Sequence, residues 1–343
     1  MGAFTKMKKL QVTHFHRKPM PGNVSIERLF TDIRNAMPGH VECFPHVSPC
    51  FSKGIFPRIR NMLDAAKHQA QINHITGDVH YLALALDKCR TLLTIHDCAS
   101  LERLRGWRRM VLKWFWFTLP IWRSRLVTVI SESTRRELLR HVRCDAAKIR
   151  VVPDCVGNDF VPSPKPFNAE EPEILHMGTA ANKNLERVIA ALAGLPCRLN
   201  IIGTLTANQR VRLEQHKIRY TNIPRATDAE VVSAYAACDL VIFASTYEGF
   251  GLPIVEANAV GRPVVTSNIL SMPEVAGKAA CLVDPFDVKA IREGILKVWH
   301  DAQYRDALVG AGFENVKRFT AKVVAESYVS LYRELAGRAE GGK

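Results

Sequence analysis

Short apolar runs alternate along the chain with stretches that repeat apolar residues at i, i+3, i+4 and i+7. In the first half the runs fall at residues 10–15, 41–47, 71–75, 90–95, 125–130 and 148–152, and each predicts a strand. In the second half they fall at 173–178, 198–202, 218–220, 240–244, 262–266 and 280–283. Helical periodicity fills the gaps. Residues 24–37 place Ile26, Leu29, Phe30 and Ile33 on one face, and residues 185–192 do the same with Leu185, Val188, Ile189 and Leu192. Further helices are expected over 55–70, 81–86, 205–216, from Asp228, over 288–299 and through the tail at 302–335. Ser131 or Ser133, Asp228 and Asp287 are the expected caps.

Strands alternating with helices predict an α/β protein with doubly wound parallel sheets, and 343 residues suit two such domains. A Pro-rich, acidic stretch at 160–172 reads as the linker. The expected organisation is a first domain at 1–165, a second at 166–310, and a helical segment at 311–343 returning toward the first. The two would face each other across a cleft, the default ligand site.

One stretch concentrates the chemistry. The apolar run 240–244 leads into Ser245, Thr246, Tyr247, Glu248, Gly249, Phe250, Gly251, Leu252, Pro253, Ile254, Val255 and Glu256. It reads as strand, glycine turn, helix. Pro253 suits the first turn, where its missing N–H costs nothing. Gly249 and Gly251 allow a tight turn and close approach of a ligand to the backbone. Free N–H groups at the helix start favour an anion, and Glu248 and Glu256 can accept from hydroxyls. A ligand that is anionic at one point and rich in hydroxyls at another, such as a nucleotide-sugar, fits; an ordinary strand–turn–helix with two solvated glutamates is the alternative.

Composition narrows the classes. The apolar fraction of 47% supports sizeable cores. Nine dispersed cysteines without a CxxC pair argue for reduced thiols and against a zinc site. Lys and Arg number 47 against 33 Asp and Glu, a net +14 that favours an anionic partner, with the basic residues concentrated in the first half. The start does not read as a secretory signal, and no run approaches the roughly 20 apolar residues of a membrane span. The expected location is therefore cytoplasmic. A P-loop is absent, no GxGxxG follows the first strand, and no nucleic-acid motif is present.

Other candidates are single residues. His96, with Asp97, sits at a strand end, where ligands of open α/β sheets bind; it is either a substrate contact or a histidine satisfied by Asp97 or backbone. Gly22 and Asn23 form a turn at a helix start, and Lys183 begins another helix as a mobile point charge. The segment from Trp107 to Arg123 mixes bulky aromatics with Arg and Lys. It reads as a core-facing helix with a solvated face, and peripheral contact with an acidic membrane is kept for the wider domain.

The motif Glu248-Gly-Phe-Gly-Leu-Pro-Ile-Val-Glu256 resembles the retaining GT-B-fold glycosyltransferases of family 4 (group 1). So do the run from His176 to Arg187, that from Val129 to Ser133, and Val283-Asp-Pro285. The resemblance implies two Rossmann-like domains, the first holding an acceptor and the second a nucleotide-diphosphate-sugar, GDP- or UDP-linked. It implies metal-independent transfer of a hexose, mannose among them, to a glycan or polyprenyl-diphosphate-linked acceptor in cell-envelope polysaccharide synthesis, with no nucleic acid involved. By carry-over Glu248, Lys183 and His96 are catalytic. Glu248 holds the donor sugar, Lys183 the leaving diphosphate, and His96 lies near the transferred sugar. The donor-binding set is Gly22, Asn23, Gly178, Thr179, Lys183, Gly203, Phe250, Gly251, Leu252 and Glu256, with Glu256 on the ribose. Many family members carry an arginine close to the position of Thr179; Lys183 and Arg187 are the nearest basic residues here. A GT-B epimerase or phosphorylase, or a non-enzymatic binder of anionic polymers, are the alternatives.

Overall fold

The computed structural model describes residues 9–19 and 25–340. It forms two compact units, one built from the chain up to Cys155 together with the segment from Ala321, the other from Val156–Thr320. The Pro-rich stretch at 160–172 thus belongs to the second unit, and the return to the first begins at Ala321.

The first unit has six strands, β1 (Leu10–His16), β2 (Val41–Val47), β3 (Ile72–Ile75), β4 (Thr91–Ile95), β5 (Leu126–Val129) and β6 (Ile149–Val151). All pair in parallel, in the order β2-β1-β3-β4-β5-β6. Its helices before the crossover are α1 (Ser25–Asn35), α2 (Ile55–Lys67), α3 (Ala99–Arg103), α4 (Gly106–Leu112), α5 (Leu119–Arg123) and α6 (Glu132–His141). Ser131 caps α6, its hydroxyl accepting from the Thr134 N–H. The stretch expected as a helix at 81–86 is a 3₁₀ turn, His80–Leu84, too short to build α-helical hydrogen bonds.

In the second unit β7 (Glu173–Met177), β8 (Arg198–Ile202), β9 (Arg219–Ile223), β10 (Leu240–Phe243), β11 (Val264–Ser267) and β12 (Cys281–Val283) form another parallel sheet, in the order β12-β11-β10-β7-β8-β9. The inner strands β10 and β11, buried on both faces, read as near-continuous apolar runs, whereas the edge strand β9 is exposed or half-buried along its length. The helices are α7 (Leu185–Leu192), α8 (Ala207–Gln215), α9 (Asp228–Ala237), α10 (Leu252–Val260), α11 (Met272–Ala276), α12 (Val288–His300) and α13 (Ala302–Val316). Asp287 caps α12 as expected. The cap of α9 is Thr227 rather than Asp228: Thr227 and Glu230 close a reciprocal capping box, leaving Asp228 in the first turn. The helical tail is broken at Lys317–Phe319, and a last helix, α14 (Ala321–Glu340), crosses back to the first sheet.

Each face of the first sheet has its own core. Phe15, Ile75, Ile95, Val127 and Leu138 pack on one side, and Leu29, Phe30, Ile72, Leu92, Val324 and Leu335 on the other. The α14 side also buries polar groups. The Tyr332 hydroxyl meets His14 Nε2 at 2.9 Å and His74 Nδ1 at 2.7 Å, and His74 Nε2 meets Thr94 Oγ1 at 2.7 Å. Burial, foremost, and neighbouring imidazoles hold His14 and His74 well below the ordinary histidine range. Both rings are therefore neutral at pH 7.

Residues 107–122 do not form the core-facing helix the sequence predicts. Trp107, Met110, Val111, Trp114 and Phe115 are exposed, whereas Phe117, Pro120 and Ile121 are buried. Between α4 and α5, Lys113–Thr118 forms a π-helical turn. Leu112 and Trp116 are half-buried against the core, and full burial begins at Phe117, after the turn's extra residue has rotated the following side chains.

Candidate functional site

Counted from β7, the second sheet has the order 3-2-1-4-5-6 of a Rossmann fold, and its topological switch lies between β7 and β10. Beyond the carboxyl ends of those strands lie the turns Gly178–Lys183 and Ser245–Gly251. The second unit's candidate residues Gly178, Thr179, Lys183, Glu248, Phe250 and Gly251 lie on these turns.

Lys183 Nζ donates to Glu248 Oε1 at 2.7 Å, with side-chain exposures of only 23% and 15%. The ammonium also lies 5.0 Å from the centre of the Phe243 ring. Asn182 Nδ2 donates to the Tyr247 carbonyl at 3.0 Å and approaches Glu248 Oε1 at 3.4 Å. Ser271 Oγ donates to the Glu248 carbonyl at 3.0 Å. The two turns are thus tied together, and Glu248 is fixed through both its side chain and its backbone.

Glycine is required beneath this pair. Gly178 has φ +86°, and a Cβ there would stand 2.9 Å from Lys183 Cγ. Gly251, at φ +119°, ends the second turn and precedes α10, with Pro253 in its first turn. That helix points its positive N-terminal end toward the switch; Pro253 carries no N–H, and the Ile254 N–H donates to the Gly251 carbonyl at 2.9 Å. Phe250 is buried against Phe319, their centroids 5.4 Å apart. Leu252 opens the helix, and Glu256 lies one turn further on.

Glu256 accepts from the Tyr235 hydroxyl at 2.6 Å. Burial and the adjacent carboxylate push the Tyr235 phenol well above its ordinary value, so it stays a donor. Thr179 Oγ1 donates to the Thr204 carbonyl at 2.7 Å, and the Thr179 carbonyl accepts from Gln209 Nε2 at 2.9 Å. Gly203 leaves room for Thr179, whose Cγ2 would lie 3.1 Å from an added Cβ. Arg187, the second basic candidate, donates to Asn184 Oδ1 at 2.8 Å and lies 5.6 Å from the Phe286 ring centre. Those contacts hold it on the Asn184–Phe286 side.

In the first unit His96 Nε2 donates to the Thr76 carbonyl at 2.9 Å, and its Nδ1 lies 3.8 Å from Asp154 Oδ1. Asp97 does not satisfy it; that carboxylate accepts from the Ala99 N–H at the start of α3. Burial raises the Asp154 carboxyl, an effect His96 partly offsets. Gly22 and Asn23 lie outside the described residues.

Sequence reasoning missed the groups that brace the site. Asn184 adopts φ +63° and donates to the Ala244 and Pro285 carbonyls at 2.9 and 2.7 Å. An Asn directly before an apolar helical run was the available signal, since Asn tolerates left-handed backbone. Tyr235 and Ser271 carried no pattern that pointed to Glu256 or Glu248. A cavity of about 220 Å³ lined by Ile202, Thr221, Ile223, Glu230 and Ser233 shares no residue with the site. Among the described residues, His46–Asp64–His68 and Glu102–Glu137–His141 bring metal-ligand side chains together, also apart from it.

Known proteins share both the pattern and the architecture. Residues 13–159 match the family described as Glycosyltransferase Family 4, and residues 158–314 match Glycosyl transferases group 1. The chain has the GT-B fold and is related to the family 4, group 1 glycosyltransferases. It is 29% identical to O-antigen chain mannosyltransferase B of Escherichia coli, over 62% of this chain and 61% of that protein. It is 23% identical to O-antigen chain mannosyltransferase RfbU of Salmonella typhimurium, over 68% and 69%. The chain thus spans about three-fifths of the first relative's length, and 31% of the E. coli serotype-specific mannosyltransferase WbdA. Among solved structures, sucrose-phosphate synthase of Thermosynechococcus elongatus superposes with a TM-score of 0.74 at 19% identity, covering 95% of this chain and 99% of that one. Anabaena HepE, solved with UDP and glucose, gives 0.74 at 15% identity, covering 95% and 100%. In this GT-B fold the Lys183–Glu248 pair and the start of α10 stand at the switch point of the second Rossmann-like unit.

Proposed function

We propose that the chain transfers a hexose from a nucleotide-diphosphate-sugar to a hydroxyl of a glycan or lipid-linked acceptor, with retention of anomeric configuration and without a bound metal. The observation that carries the reading is the Lys183–Glu248 pair beside the Gly251-capped start of α10. A diphosphate needs positive potential where negative charge develops, and the lysine with the helix amides supplies it. Glu248 would accept from donor-sugar hydroxyls, and Glu256, braced by Tyr235, from the ribose. His96 would meet the transferred sugar, its ring orientation set by the Thr76 carbonyl and Asp154. The mannosyltransferase names of the relatives favour mannose and an O-antigen-like polysaccharide product. The reaction is placed in the cytoplasm, at the inner face of the cytoplasmic membrane, where a polyprenyl-diphosphate-linked acceptor would be reached.

The test is a panel of GDP- and UDP-sugars incubated with extracted lipid-linked acceptors and read by mass spectrometry. Transfer from one donor, with an anomeric linkage matching that donor, is expected. Absence of any hexose-bearing product across the panel, or an inverted linkage, overturns the reading.

A further inference from the structure

Three side chains with metal-ligand chemistry meet in the first unit, apart from the residues assigned to the donor and the sugar. His46 is the penultimate residue of β2, the edge strand of the first sheet. Asp64 lies in the last turn of α2, and His68, four residues on, is that helix's C-cap. At this spacing two helical side chains lie on one face. One ligand atom from each of the three residues lies within 4.8 Å of the other two.

The group is held from behind by β1. His46 pairs in register with Phe15, their rings 5.5 Å apart, and the His68 carbonyl accepts from Thr13 Oγ1 at 2.9 Å. Within the group the Asp64 carboxylate lies 2.6 Å from His46 Nε2 and 3.7 Å from His68 Nδ1. The two imidazoles stack with centroids 4.1 Å apart. His68 Nδ1 donates to the Asp64 main-chain carbonyl at 2.8 Å. A bond of that kind fixes the tautomer of metal-bound histidines and leaves the other ring nitrogen with its lone pair. An ordinary ion pair needs one imidazole, whereas here two stacked rings approach the same carboxylate.

We propose that His46, Asp64 and His68 form a binding site for one divalent first-row metal ion. Two imidazoles and a carboxylate suit Zn(II), Ni(II), Co(II) or Cu(II), whereas Mg(II) and Ca(II) call for oxygen ligands. No cysteine belongs to the set, so the lack of zinc spacing among the cysteines has no bearing on it. Side-chain exposures of 20%, 29% and 49% let water reach the remaining coordination positions. The ion replaces the hydrogen bond between His46 and Asp64 and ties the edge strand to the end of α2. Glu102–Glu137–His141 is the poorer candidate, because Arg109 Nη2 lies 3.3 Å from His141 Nδ1 and brings a fixed positive charge to the ring. The site uses none of the donor-side residues, so it stands or falls apart from the transfer reaction.

The untagged full chain is stripped with chelator, dialysed, and titrated with ZnCl2, NiCl2 or MgCl2 by isothermal titration calorimetry. Zn(II) should bind in one saturable step at one ion per chain, and the thermal midpoint should rise with ion concentration. Mg(II) should give no such step. His68→Gln and Asp64→Asn should each weaken Zn(II) binding at least about tenfold, since even partners outside the ligand shell cost about 10–100-fold. His141→Gln should leave it unchanged. His68 is exposed, so its substitution leaves the core intact, and far-UV circular dichroism checks the fold of each variant. Wild-type chain with no saturable step for Zn(II) or Ni(II) overturns the proposal. So does a step that survives both His68→Gln and Asp64→Asn. A step lost only in His141→Gln overturns it too, and moves the ion to Glu102–Glu137–His141.

Discussion

Removing either partner of the Lys183–Glu248 pair tests whether the second unit is organised around it. At 2.7 Å the gross attraction is about 6 kcal/mol with an effective dielectric constant of ~20. Desolvation of two mostly buried charges cancels much of that. Close charge pairs in double-mutant cycles retain roughly 1.5 kcal/mol or more, and the Asn182 amide and Phe243 ring each support one partner after the other is lost. A coupling energy of about 2 kcal/mol is therefore expected. The four proteins needed are the wild type, Lys183→Ala, Glu248→Ala and the double variant, compared by calorimetry in the absence of donor. The double variant should be about 2 kcal/mol more stable than the two single losses summed. Turnover should behave differently. Lys183→Ala should cost on the order of 10²–10³ in kcat, as for loss of one preorganised charge donor. Glu248→Ala should fail as severely, and restoring stability in the double variant should restore no activity. Additive stability losses would mean the pair is not a unit, and full kcat/KM in either single variant would remove that residue from the site.

Acid should destabilise the chain before its carboxylates protonate. Burial depresses His176 to about 4, foremost over the nearby Lys183, and His16 likewise to about 4. The unfolded chain binds these protons below about pH 6.5 and the folded chain does not, so stability is full above ~6.5 and falls as pH drops toward 4, by about 3 kcal/mol for His176 alone. A urea midpoint that is flat from pH 7 to 4.5 would refute this. Tyr332→Phe removes the hydroxyl shared by His14 and His74 and should cost about 1–3 kcal/mol, with faster amide exchange in α14; unchanged exchange there would show that apolar packing alone holds the helix. Gly294→Ala should destabilise by about 1–3 kcal/mol, because the added Cβ would stand 2.4 Å from Val283 Cγ1 where α12 packs on β12. A neutral change in calorimetry would mean that α12 can shift on the sheet.

Much of the fold was legible because parallel strands buried on both faces leave a strong signal. Residues 240–244 and 262–266 could hardly be anything else, and the glycine turn with Pro253 marked the start of α10. The turns around the Lys183–Glu248 pair were legible because their backbone demands are local: Gly178 and Gly251 sit where left-handed backbone is needed. What the chain order did not reveal were side chains whose partners are far away. His14, His74 and Tyr332 look like scattered polar residues until α14 returns 258 positions after His74 and closes the network. The aromatic stripe from Trp107 to Phe115 was misread for a related reason. Periodicity shows that a helix has an apolar face but not which way it points, and the π-helical turn reverses the expectation.

The position of Thr179, near which the resemblance to family 4 leads one to expect an arginine, gains meaning from the electrostatics of the pair. Lys183 is already matched by Glu248, so the two together bring almost no net charge to the strand ends. Thr179 adds none; its hydroxyl serves the Thr204 carbonyl and its own carbonyl serves Gln209. Arg187 is directed to Asn184 and Phe286. On the proposed reading a diphosphate would then be met first by the N-terminal end of α10, a fixed partial charge of roughly half an elementary unit. On the same reading, Lys183 would become available to it only as Glu248 exchanged the ammonium for sugar hydroxyls. On this reasoning phosphate and sugar recognition are coupled through one shared proton donor. On that reading a nucleoside diphosphate lacking the sugar would leave Glu248 competing for the lysine, whereas the intact donor would satisfy both residues at once.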